Sequence, residues 1–197
     1  DLTAELTGAD PPMIFRFDRD WFFAAFNPDG TRLFMTDTAQ GAFLLDGNTG
    51  AELAPTSGAL PGGTHPAWSP DGNQLALIVN ADDAWNPQTG DLATLSVAGA
   101  DSFGGASVLH SGAALAGSPE GGNLDAYPTH SPDSLVIAFQ HGTRTLVSAG
   151  DASGALYVIP RGGGAATRLT NASGDNAYYP NFTPFAVLAD DGTTKFW

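Results

Sequence analysis

Apolar residues in this chain fall in short runs rather than in long helical periods. Leu33-Phe34-Met35, Leu75-Ala76-Leu77 and Ile137-Ala138-Phe139 are apolar at consecutive positions. Runs of this length, apolar on both faces, predict strands covered above and below. Each follows a cluster of turn formers: Asn27-Pro28-Asp29-Gly30, Ser69-Pro70-Asp71-Gly72 and Ser131-Pro132-Asp133-Ser134. A side-chain acceptor, a proline that presets φ, a polar residue and a glycine are the preferences of the four positions of a type I turn. Strand, turn, strand is therefore the predicted unit.

The unit repeats. The stretch from Phe23 to Gly30 returns as His65 to Gly72, as Tyr127 to Ser134 and, more loosely, as Tyr179 to Phe185. A second half follows each copy. In the first copy it is Gly41 to Leu45, a tight Asp46-Gly47-Asn48-Thr49-Gly50 link, and Glu52-Leu53. In the third it is Gly154 to Ile159, Arg161 to Gly164, and Thr167 to Thr170. The middle copy has Leu92 to Val97 and Ser107 to Leu109 around a glycine-rich link. Four short strands and two tight hairpins, recurring about every 40 to 60 residues, predict β-propeller blades. The expected fold is all-β: a propeller of four-stranded antiparallel blades at approximately 21–54, 65–110 and 127–170, with partial blades at 1–8 and 178–197.

These residues resemble a known family. Trp68-Ser69-Pro70-Asp71-Gly72 with Leu75-Ala76-Leu77, and Leu156-Tyr157-Val158-Ile159 with Gly162-Gly163 and Arg168-Leu169-Thr170, are similar to the TolB-type β-propeller repeat, a relative of the WD-repeat blade. The departures are His130 in the Trp column, Ser134 for the turn glycine, and Phe185 where Asp is expected. The last copy delays its turn to Asp191-Gly192 on this reading, just before Lys195-Phe196-Trp197. Glu5-Leu6-Thr7 resembles Arg168-Leu169-Thr170, the last strand of a blade, so the chain is expected to be part of a longer ring. The resemblance implies a protein-binding propeller in the periplasm or at the cell surface, that is, in an exported protein.

Composition agrees with that architecture and narrows the function. The 25 Gly and 14 Pro, with only 14% charged residues, suit many strands and turns better than long helices. With 42% hydrophobic residues, 12 Phe, 4 Tyr and 4 Trp, the chain has material for a core. Seven Lys and Arg against 21 Asp and Glu give a charge of −14 and argue against phosphate-directed nucleic-acid binding. The absence of Cys excludes a disulfide framework, a thiolate zinc site and a Cys nucleophile. No run of apolar residues is long enough for a spanning helix.

The long connections 55–64, 81–90, 111–126, 141–153 and 171–177 are expected at the end opposite the tight turns. Loops held by a rigid scaffold carry function. The candidate binding set there is Asp82, Asp83, Trp85, Glu120, Asp125, His141, Arg144, Asp151 and Asp175. It reads either as a surface for Ca²⁺ or a cationic protein segment, or as solvated loop residues. No Asp-x-Asp-x-Asp-Gly spacing occurs, so no metal or cofactor is assigned. His65 and His130 sit in aromatic columns and read as packing residues, His110 lies at a strand end, and His141 begins a loop and is the histidine to test as a ligand.

Neither a Gly-x-Ser-x-Gly elbow nor a phosphate-binding glycine loop is present. The expectation is a non-catalytic scaffold for a protein or peptide partner, with any small ligand unspecified. The alternative is the substrate-gating propeller of a prolyl oligopeptidase-type serine hydrolase whose catalytic domain lies outside this chain.

Overall fold

The computed structural model describes residues 20–99, 101–145, 153–170, 177–183, 187–188 and 195–196. Among the described residues the chain is all-β, with one short 3-10 turn at Gly112–Leu115. Strands β1 (Trp21–Phe26), β2 (Arg32–Asp37), β3 (Ala42–Asp46) and β4 (Glu52–Leu53) pair in sequence order as an antiparallel sheet. The same order recurs in β5 (Thr64–Trp68), β6 (Gln74–Val79), β7 (Thr89–Ser96) and β8 (Ser107–His110). It recurs again in β9 (Asn123–His130), β10 (Val136–Gly142), β11 (Gly154–Pro160) and β12 (Thr167–Arg168).

The second and third meanders are joined. β7 and β9 pair in parallel through Thr89 with Asn123 and Gly90 with Leu124, so hydrogen bonds link these eight strands into one mixed sheet. Gly90 sits close to β9 as well as to β6: a Cβ there would stand 3.2 Å from Leu124 Cδ1 and 2.6 Å from Ile78 Cγ2. The third meander accordingly begins at Asn123, a few residues before the expected 127.

Burial explains why the runs are apolar on consecutive positions. In β6, Leu75, Leu77 and Val79 pack with Phe34 and Leu44 of the first sheet and with Leu95 and Phe103. The intervening Ala76 and Ile78 pack with Ile137, Phe139, Tyr157 and Ile159 of the third meander. Because strand side chains alternate between faces, one strand feeds two cores and needs apolar residues throughout.

The turns follow their sequence. Gly30, Gly72 and Ser134 each donate their N–H back to the carbonyl of the residue three positions earlier, at 3.0, 2.9 and 2.8 Å. Asn27 Oδ1 accepts from Arg32 N–H (2.9 Å), and the Oγ atoms of Ser69 and Ser131 accept from Gln74 and Val136 N–H (2.9 and 3.1 Å). Gly30 and Gly72 have φ of 74° and 72°, and Ser134 takes φ 59° in their place. An added tie accompanies Ser134: its Oγ accepts from Asp71 N–H at 3.1 Å, and the Arg161 guanidinium reaches both its carbonyl and the Asp71 carboxylate.

At the far end of the chain, Val187–Leu188 pairs antiparallel with Lys195–Phe196. The expected Asp191-Gly192 turn between them, the partial blade at 1–8 and Phe185 lie outside the described residues.

Candidate functional site

β1, β5 and β9, the first strands of the three meanders, lie side by side. Each carries a register irregularity near the aromatic position of the repeat. The register shifts between Trp21 and Phe23 in β1, between Thr64 and Ala67 in β5, and between Ala126 and Thr129 in β9. An extra residue in a strand re-aims its side chain. Phe23, His65 and Tyr127, four residues ahead of each turn, pack ring against ring, and the fourth copy adds Tyr179.

Ring centroids are 4.3 Å apart for Phe23 and His65, 4.1 Å for His65 and Tyr127, and 4.3 Å for Tyr127 and Tyr179. The Tyr127 hydroxyl lies 3.4 Å from that of Tyr179. His65, Tyr127 and Tyr179 have φ of 51°, 49° and 54°, and each precedes a proline. Positive φ is rare for bulky residues, and a following proline restricts the backbone further. The four rings and Pro66, Pro128 and Pro180 line an open pocket of about 280 Å³.

His65 is 4% exposed, and neither ring nitrogen has a hydrogen-bond partner. Burial pushes its pKa down to about 3, so the imidazole is neutral at physiological pH. Burial also raises the Tyr127 phenol, with Tyr179 acting in the same direction.

The loop 80–88 brings Trp85 to this column. Its ring centroid is 5.4 Å from Phe22 and 6.3 Å from Phe23, and half of its surface is exposed. Asp83 Oδ1 accepts from the N–H groups of Trp85 and Asn86, both at 2.7 Å, and Asp82 Oδ1 accepts from Gln88 and Thr89 (2.8 and 3.0 Å). Burial opposes ionisation of Asp82, but these backbone bonds hold its carboxyl below the usual range. Thr145, next to Arg144, donates to the Trp85 carbonyl at 3.4 Å and approaches Asn86 Oδ1 at 3.3 Å. Asp82 and Asp83 thus shape the loop that presents Trp85.

The other candidates fall elsewhere. Asp125 is in β9 and His141 in β10, both fully buried, and not in the long connections that the sequence pattern predicts for them. The cause is local: Leu124 and Ala126 beside Asp125, and Phe139 before His141, are buried in the core and extend both strands. Asp125 receives the Nδ1 atoms of His110 and His141 on its two oxygens, at 2.6 and 3.0 Å. This triad ties β8, β9 and β10 together and leaves the carboxylate no free face. Glu120 bonds the Tyr157 hydroxyl and lies 2.9 Å from an Arg168 guanidinium nitrogen. Burial works against its charge, yet the tyrosine and arginine keep it below the usual carboxylate range, while burial and Glu120 push Tyr157 up to about 12. Asp151 and Asp175 lie outside the described residues. Among the described residues no group of three or more His, Asp or Glu has the arrangement of a metal site, and no helix is long and apolar enough to cross a membrane.

Sequence alone places Trp85 among the candidates and His65 among packing residues. It does not single out Phe23, Tyr127 and Tyr179 as a group. The available signal is that all three occupy the same column of the repeat as His65.

No protein-family model matches the chain, and no curated protein matches it. Among solved structures it is similar to a crystal structure of the eukaryotic initiation factor, with 12% identity and a TM-score of 0.48 over 79% of this chain and 34% of that one. It is also similar to a structure titled a putative 6-phosphogluconolactonase from Bacteroides uniformis, with 16% identity and a TM-score of 0.42 over 87% and 45% of the two chains. A third is puromycin hydrolase, with 16% identity and a TM-score of 0.40 over 77% and 23%. The chain spans less than half the length of each of these structures.

Proposed function

We propose that the chain is a module of a β-propeller with four-stranded, TolB-like blades, and that it acts as a non-catalytic scaffold binding a protein or peptide partner. One observation carries the reading: the same repeat position in four copies supplies Phe23, His65, Tyr127 and Tyr179 to one pocket. Three of them hold a backbone conformation that costs roughly 1–3 kcal/mol each. Strain of this kind persists where surrounding structure over-determines it, and it clusters at ligand clamps. Concave, largely apolar sites with exposed aromatic anchors are where binding energy concentrates. The exported setting rests on the resemblance to TolB-type repeats.

A displayed library of unstructured peptides tests the reading. Saturable binders are expected, and shortening the loop 80–88 to remove Trp85 should weaken them by about tenfold, the scale of an aromatic hot spot. Absence of saturable binders, or binders indifferent to the loop, counts against it.

A further inference from the structure

The connection from β6 to β7 is held by side chains from outside itself. Gln40 Nε2, in the hairpin between β2 and β3, donates to the Ala81 carbonyl at 3.0 Å. Thr64 Oγ1 of β5 donates to the Ala84 carbonyl at 2.9 Å, and Thr145 Oγ1, just past β10, donates to the Trp85 carbonyl at 3.4 Å. The donors belong to the first, second and third meanders in turn. A surface connection ordinarily leaves such carbonyls to water.

Packing follows the same plan. Ala84 and Pro87 are buried, Ala81 packs against the core shared by the second and third meanders, and the Trp85 ring meets Phe22 and Phe23 of β1. Inside the loop, the carboxylates of Asp82 and Asp83 take the N–H groups of Trp85, Asn86, Gln88 and Thr89, which ties the segment into one body. Gln40 is itself fixed: its φ is 61°, and its carbonyl accepts from Gly63 N–H at 2.9 Å, just ahead of β5.

We infer that residues 80–88 form a strap that fastens the three meanders to one another at the end opposite the tight turns, and that Gln40 and Thr145 set the position of Trp85 from a distance. Loosening either anchor frees the segment as a unit, because its internal bonds make it open cooperatively. The strap is a property of the fold and holds whether or not the ring column binds a peptide.

Hydrogen exchange of the full chain, read amide by amide by NMR, tests this in Gln40→Met, Thr145→Val and the double variant. Each substitution removes one donor and nearly keeps the side-chain volume. Either single variant should speed exchange at Trp85, Asn86, Gln88 and Thr89 together by about fivefold, the scale of one hydrogen bond, and the double variant by about 25-fold. The amides of Leu77 and Phe139, in the cores on either side of β6, should keep the parent's rate. Ring-to-ring Overhauser contacts between Trp85 and Phe22 should weaken in Gln40→Met. Three results would overturn the inference: loop amides unchanged in both single variants, acceleration confined to the residue beside the altered anchor, or equal acceleration at Leu77 and Phe139, which would make the loss one of general stability. The library screen decides separately whether the scaffold reading stands.

Discussion

The first strands of this chain end in tight turns and carry aromatic rings four residues earlier, and the two regions are built on opposite principles. In the turns, polar groups are satisfied by near neighbours. Ser69 Oγ donates to Asp71 Oδ1 at 2.6 Å while accepting from Gln74, and Asp71 accepts in turn from Asn73 N–H at 3.0 Å. Ser131 and Asp133 repeat the arrangement. In the ring column, the backbone is forced into the left-handed region at large residues, and the buried imidazole of His65 has no hydrogen-bond partner. The turns satisfy their polar groups locally, with a positive φ at Gly30 and Gly72 and, in the third copy, at Ser134. The rings are held against local backbone preference at His65, Tyr127 and Tyr179.

Acid should expose this contrast most strongly. The folded chain keeps His65 neutral down to about pH 3, whereas the unfolded chain takes up that proton below about pH 6.5. The unfolded state therefore binds more protons between these values, so stability is complete above about pH 6.5 and falls as the pH drops. His130, pushed down to about 4 by burial and the Arg161 charge, adds a loss of the same sign. Each histidine should remove roughly 2 kcal/mol by about pH 4.5. His65→Phe should flatten this limb in urea titrations across that range; an unchanged slope would mean that the imidazole carries no burial penalty.

A smaller effect is expected at the turns. Ser131→Ala removes the acceptor for the Leu135 and Val136 N–H groups and the donor to Asp133, and should cost about 1–2 kcal/mol in the same titrations. The variant should leave peptide binding untouched. A cost below about 0.5 kcal/mol would show that the turn does not depend on its own side chains.

The contrast also explains what can be read from the sequence. Turns are legible because Ser, Pro, Asp and Gly each have a local reason to be there, and even Ser134 keeps the turn's positive φ. The strands are legible because β6 serves two cores and so shows an unbroken apolar run. The ring column is not. A positive φ at His65, Tyr127 or Tyr179 runs against local preference and is imposed by neighbouring strands. The parallel joint at Gly90 and the link from Asp125 to His110 and His141 are likewise tertiary, brought about by packing between segments that the repeat alone does not connect. Of the loop candidates, Trp85 belongs to the column, Asp82 and Asp83 support it, and Asp125 and His141 belong to the interior.

The central claim is that ligand binds at the rings and not at the turns. The most direct measurement is a chemical-shift map of the full chain titrated with a binding peptide. The account predicts shifts concentrated at Phe23, His65, Trp85, Tyr127 and Tyr179, with Ser69 to Gly72 and Ser131 to Ser134 unmoved. Shifts concentrated at the turns, with the rings silent, would contradict it.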